Sequence, residues 1–123
     1  MTPSSEVLSR LVVQGLFDAH SHGGRSGWEP FRDGIDILRL YGDGVSGAAA
    51  ALLSYAPGAV VPTHLHPGYE HILVLSGTQS DEDGTYGPGA CVIHGPGSRH
   101  SVRSEHGCVV LAIWAQPVVF EAE

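Results

Sequence analysis

Basic residues are scarce in this chain. Six Lys and Arg stand against 13 Asp and Glu in 123 residues, for a net charge of −7. Phosphate backbones and anionic lipid surfaces are held by clustered Lys and Arg, and here the six are scattered, so neither nucleic acid nor membrane is an expected partner. Cysteine is nearly absent as well. Cys91 and Cys108 are the only two, and neither sits in a C-x-x-C or similar metal-binding spacing. Each lies in an apolar stretch, which predicts buried free thiols. No Ser-His-Asp or Cys-His arrangement suggests covalent catalysis. No run approaches the 18 apolar residues of a membrane span, and Met1 to Leu16 has no basic segment leading into an apolar core. A cytoplasmic protein without a secretory leader is therefore expected.

Glycine, by contrast, is abundant: 17 residues, together with 8 prolines. Outside a collagen repeat, that density implies many turns, and many turns in a short chain imply many short strands. With 42% hydrophobic residues, the chain can build one core and one domain. Apolar runs bounded by turn residues predict strands over 35–41, 48–55, 60–66, 69–75, 78–80, 85–86, 90–94, 100–103, 108–115 and 118–120. Asp81 to Gly84 reads as a hairpin turn, and 100–103 reads as pairing with 108–115 across Ser104 to Gly107. Ser4 to Val12 has helical spacing behind a capping serine, which predicts a short helix over 5–14. The fold class is thus all-β: a double-sheet jelly roll or barrel over 28–123, preceded by an arm with a short helix over 1–27.

His64-Leu65-His66 carries the chemistry. Residues i and i+2 of a strand share a face, so both imidazoles project to one side. Pro67-Gly68-Tyr69 can turn the chain so that Glu70 opens the next strand beside them. On that strand Glu70, Ile72 and Val74 would face inward, with His71, Leu73 and Leu75 outward. After the tight turn Pro96 to Arg99, His100 supplies a fourth donor from a distant strand. Three imidazoles and a carboxylate suit one divalent metal ion: Zn, Fe(II), Mn or Ni. Such donors close a tetrahedral zinc site, or leave two positions open on an octahedral ion. Because histidine binds metal only when neutral, affinity should fall below about pH 6.

These residues resemble a known family. Gly58-x5-His64-x-His66-x3-Glu70-x6-Gly77 fits the first cupin motif at every position. Gly89, Pro96 and His100 resemble the second, with one extra residue between Gly89 and Pro96 and Gly97-Ser98 after the proline. That variant, with Tyr55-Ala-Pro-Gly58, Ile72 to Gly77, Ser80 to Tyr86 and Gly107-Cys108, resembles the ChrR-type cupins over about residues 28–120. The resemblance implies a double-stranded β-helix (jelly-roll) cupin barrel, a metal centre inside it and a homodimer. ChrR-type cupins occur in zinc-binding anti-sigma factors and in acetylacetone-cleaving dioxygenases. Two functions follow as expectations: an Fe(II)- or Mn(II)-dependent dioxygenase taking a small polar or dicarbonyl molecule into the barrel, or a ChrR-like sensor without catalysis. The roughly 27 residues before the barrel are too few for a fused sigma-binding domain, which places the dioxygenase first.

Other candidates have plainer readings. His71 should face away from the site, and His94, just before the Gly-Pro-Gly turn, reads as a turn or surface histidine, with the mouth of the barrel as the alternative. His20 and His22 repeat the H-x-H pattern in what reads as a solvated loop. The Asp81 to Gly84 cluster lacks the spaced ligands of a calcium loop. Trp28, Phe31, Tyr41, Tyr55 and Trp114 read as core, Tyr69 as rim and Arg99 as a surface residue.

Overall fold

The structure is a computed structural model in which residues 8–121 are described. It is nearly all strand. A five-residue helix, α1 (Ala19–Gly23), precedes β1 (Glu29–Arg32), β2 (Ile35–Tyr41), β3 (Ala49–Tyr55), β4 (Ala59–Leu65) and β5 (Glu70–Gly77). Then follow β6 (Gln79–Ser80), β7 (Thr85–Tyr86), β8 (Cys91–His94), β9 (Arg99–Ser104), β10 (Cys108–Trp114) and β11 (Val119–Phe120). Two antiparallel sheets form, in the orders β1-β2-β3-β10-β5-β8 and β11-β4-β9-β6-β7. No helix among the described residues is long and apolar enough to cross a membrane.

Strand alternation builds the core between the sheets. Ile35 and Ile37, Ala51 to Tyr55 in alternate positions, Ile72, Val74, Val110 and Ala112 from one sheet meet Ala59, Val61 and Val102 from the other. Burying each Ile, Leu or Val among them contributes roughly 1.5–3 kcal/mol. β3 is buried on both faces, so Ala50 and Leu52 are enclosed although they point away from the core.

Three expectations need correction. Residues 8–14 are irregular rather than helical, and the remainder of the 5–14 helix lies outside the described residues. The helix instead falls in the segment read as a loop, at Ala19–Gly23. There the Asp18 carbonyl accepts from the Ser21 amide and hydroxyl, closing one tight turn that no apolar periodicity announces. Second, β9 and β10 do not pair. β9 ladders with β4 and β6, whereas β10 lies between β3 and β5. Ser104 to Gly107 thus carries the chain from one sheet to the other. The crossing is pinned where the Ser104 hydroxyl donates to the Thr78 carbonyl at 2.6 Å and the Thr78 amide donates to Gly107 O. Alternation marks each strand but not its partner. Third, Cys91 is exposed and only Cys108 is buried, because β8 is an edge strand whose alternate positions face out.

Gly77 illustrates how tightly the crossing is built. Its φ is +70°, and a Cβ there would collide with Gly107 O. Gly89 also has positive φ, at +91°, but opens onto empty space. Gly77→Ala should therefore lower stability by about 3 kcal/mol or more, through left-handed strain plus a backbone clash. Gly89→Ala should cost about 1–2 kcal/mol, from strain alone. Urea midpoints of the two variants check the difference.

Candidate metal centre

A bulge aims the first two histidines. Along β4, Ala59 and Val61 face the core while Val60 is exposed, so strict alternation would bring Thr63 and Leu65 inward next. Instead the ladder with β9 slips between Val61 and His64: Val61 stands opposite Val102 and His64 opposite His100. The extra residue falls at Pro62-Thr63, and a proline within a strand is accommodated at such a bulge. The phase is thereby reset, so that His64 and His66 enter the barrel. His66 lies one residue past the end of β4. Its amide donates to Ser98 O and its carbonyl accepts from Gly97, which clamps it to the turn before β9. Glu70 opens β5, opposite Trp114 of β10 and His94 of β8.

All four residues are buried, and one donor atom from each lies within 4.8 Å of the others. His64 Nε2 is 3.0 Å from His100 Nε2; Glu70 Oε1 is 3.2 Å from His66 Nε2 and 3.6 Å from His100 Nε2. The surrounding hydrogen bonds dictate which atoms carry lone pairs. His64 Nδ1 faces the Pro62 carbonyl at 2.8 Å, so Nδ1 must donate and Nε2 is bare. The Ser98 hydroxyl gives its proton to Gly95 O, so His66 Nδ1 must donate to Ser98 Oγ, and its Nε2 is bare as well. Trp114 Nε1 donates to Glu70 Oε2 at 2.7 Å, leaving Oε1 free. His66 Nε2 and Glu70 Oε1 are buried without a hydrogen-bond partner. Lone pairs converging in a desolvated site are costly unless a cation or proton joins them, and outer-shell donors of this kind orient metal-ligating side chains. The donor set therefore fits a divalent metal ion.

The electrostatics agree. Burial lowers the basicity of His64, only partly offset by the Pro62 carbonyl and Glu70. Burial, reinforced by neighbouring His94, brings His100 down to about 4. Burial pulls Glu70 upward, but His66, His100 and Trp114 outweigh it and hold its carboxyl below the usual range. At neutral pH His64 and His100 are thus neutral and Glu70 is a carboxylate, the protonation state that metal ligation requires.

A cavity of about 40 Å³ adjoins the cluster, walled by Phe31, Leu53, Tyr55, Ile72, Val102 and Phe120 among others. A second space of about 120 Å³ shares Phe31, Trp114, Val118 and Phe120 with it and reaches Arg39. Phe31, Tyr55 and Trp114, expected only as core, thus also line the site. His94, read as a turn or surface histidine that could also line the mouth of the barrel, stacks on His66 with ring centroids 5.0 Å apart and lies 4.0 Å from the His100 ring. Its cross-strand position opposite Glu70 was the missing signal. His71 does face away, Arg99 pairs with Glu121 at 2.7 Å on the surface, and Tyr69 is exposed. Asp81 folds back on its own hairpin, accepting from the amides of Asp83 and Gly84 and from Tyr86 Oη. His22 is not solvated: it is buried, with Nε2 2.6 Å from Leu16 O.

Comparison with known proteins agrees with this geometry. Residues 16–118 match the ChrR cupin-like domain. Anti-sigma ChrR of Rhodobacter sphaeroides, solved in complex with SigE, is 31% identical, with 71% of this chain and 47% of that chain covered and a TM-score of 0.62. A protein of unknown function with a cupin-like fold from Ralstonia eutropha JMP134 is 25% identical over 73% of this chain and 60% of that one, with a TM-score of 0.66. The chain thus spans less than two thirds of either relative. Acetylacetone dioxygenase from Acinetobacter johnsonii shares the fold, at 14% identity, a TM-score of 0.76 and coverage of 97% and 83%. No curated protein matches the sequence. With most of its length matched and the family's barrel around a buried His3Glu cluster, the chain belongs to the ChrR cupin-like family.

Proposed function

We propose that His64, His66, Glu70 and His100 hold one divalent metal ion, and that the chain is a metal-dependent dioxygenase acting on a small dicarbonyl or similarly polar molecule. The carrying observation is the convergence of bare lone pairs beside an apolar-walled cavity. An Fe(II) or Mn(II) ion held by these four donors would leave room for small ligands and would pass electrons from the organic substrate to dioxygen. The protein's own contribution is to hold His64 and His100 neutral, to fix the rings, and to wall the adjoining cavity with Phe31, Trp114 and Phe120. Fe(II)-loaded protein should consume dioxygen when given a β-diketone. Absence of uptake across a panel of diketones and keto acids would remove the dioxygenase and leave metal binding standing.

The likeness to ChrR favours a second reading, a metal-binding sensor whose partner is a sigma factor. Its test is recovery of a sigma factor by the tagged full chain from its own cell extract, dependent on metal loading.

We also propose a homodimer through the outer face of the six-stranded sheet. There half-buried Leu38, Leu111 and Leu73 lie on three strands, with the enclosed Leu52 in register between Leu38 and Leu111, beside exposed Ile113 and Ile93. Leu75, expected on that face as exposed, is buried at 1% exposure; β5 bulges there, between the pairings of Val74 and Ser76. Leu73→Glu should shift a dimer to a monomer in light scattering. A wild-type mass equal to one chain would contradict the dimer.

A further inference from the structure

We propose that Asp81, His94 and His100 form a second position for a divalent cation, sharing His100 with the first centre. One donor atom from each of the three lies within 4.8 Å of the others; Asp81 and His100 are buried and His94 half-buried. No hydrogen bond joins Asp81 to either imidazole among the described residues, so the three groups do not satisfy one another. They stand instead at separations that one ion with bonds of about 2.0–2.3 Å would bridge after slight contraction.

His100 supplies the independent observation. The first centre takes its Nε2, which faces His64 Nε2 and Glu70 Oε1. Its other ring nitrogen, Nδ1, is buried and has no partner, although His64 and His66 each brace theirs. A ligating histidine ordinarily places that nitrogen against a carboxylate, carbonyl or water. Asp81 and His94 each bring one donor atom within 4.8 Å of a ring nitrogen of His100, and the two rings stand 4.0 Å apart. Asp81 uses Oδ1 for all three of its turn contacts, which leaves Oδ2 for a further partner. His94 is held over the site by its stack on His66 and its cross-strand place opposite Glu70.

Two nitrogens and one carboxylate oxygen select borderline ions such as Zn(II), Co(II) or Cu(II) over Mg(II) and Ca(II), which prefer all-oxygen shells. When both positions fill, His100 bridges them and its Nδ1 proton passes to solvent. The inference rests on the first centre only through His100.

The experiment adds Zn(II) to the metal-free full chain and counts bound ions per chain by calorimetry and by elemental analysis after desalting. The wild type should take up two, the second more weakly; His94→Ala and Asp81→Asn should each take up one. Asp81→Asn retains the oxygen that caps the hairpin, so it decides the matter if His94→Ala does not fold. A wild type that saturates at one, with both variants unchanged, overturns the second position alone. Variants that still take up two overturn it as well. A wild type that binds none overturns the first centre with it.

Discussion

His64→Ala should leave a folded barrel that no longer keeps its metal ion. The imidazole sits on β4 opposite His100, with its Nε2 bare and its Nδ1 fixed by the Pro62 carbonyl. Losing a mere outer-shell partner weakens metal sites roughly 10- to 100-fold, so removing a ligand should weaken this one by more than about 100-fold. The barrel should survive, because the core of Ile35, Leu53, Val74, Val110 and their neighbours does not depend on His64. Removing a buried polar group can even relieve the metal-free protein. Elemental analysis with far-UV circular dichroism checks both halves: one bound ion per chain fewer than the wild type, with a wild-type spectrum. Ser98→Ala, which removes the brace on His66 together with the turn bond to Gly95 O but no ligand, should fall in the milder 10- to 100-fold range.

Removing the metal from the wild type should lower its melting temperature, and the difference should vanish in acid. A ligand at about 1,000 times its Kd adds roughly 4 kcal/mol to stability. For a domain of this length that corresponds to roughly 15 °C. The pH dependence follows from the histidines. Burial holds His64 and His100 below the ordinary imidazole value of 6.5, His100 at about 4. Between those values the unfolded chain binds protons that the native chain refuses, so unfolding is favoured as pH falls from 6.5 toward 4. Glu70 acts in the same direction at lower pH. Its carboxyl is depressed below 4.5, so the stability it contributes is present above that value and lost as pH falls through the folded one. Metal competes with the same protons. Thermal melts with and without Zn(II) should therefore differ most at pH 7.5 and converge near pH 4.5. A gap that persists at pH 4.5 would contradict histidine ligation.

Much of this was legible in the sequence because two periodicities dominate. Alternation placed β2 and β7 at their ends and most other strands within a residue or two, and the H-x-H pair followed by Glu70 marked the cluster. What alternation cannot carry is pairing and phase. It joined β9 to β10 across a four-residue turn, although the chain there changes sheets. It gave His64 and His66 a common face without showing that the bulge at Pro62-Thr63 turns that face inward. β1 was missed because Pro30 and Asp33-Gly34 break its pattern, yet Phe31 helps wall the cavity. His94 was undervalued because its neighbours in sequence are turn residues; only its register with Glu70 puts it beside the cluster. The supporting bonds from Trp114 and Ser98 join residues 44 and 32 positions apart, a distance over which local pattern carries no information.

X-ray absorption at the zinc edge, on chain loaded with one equivalent of Zn(II), reads the ligand atoms themselves. Ligation by His64, His66, Glu70 and His100 gives a shell of nitrogen and oxygen at about 2.0–2.1 Å with the outer scattering of three imidazoles. A sulfur shell near 2.3 Å, or scattering from fewer than two imidazoles, would contradict it.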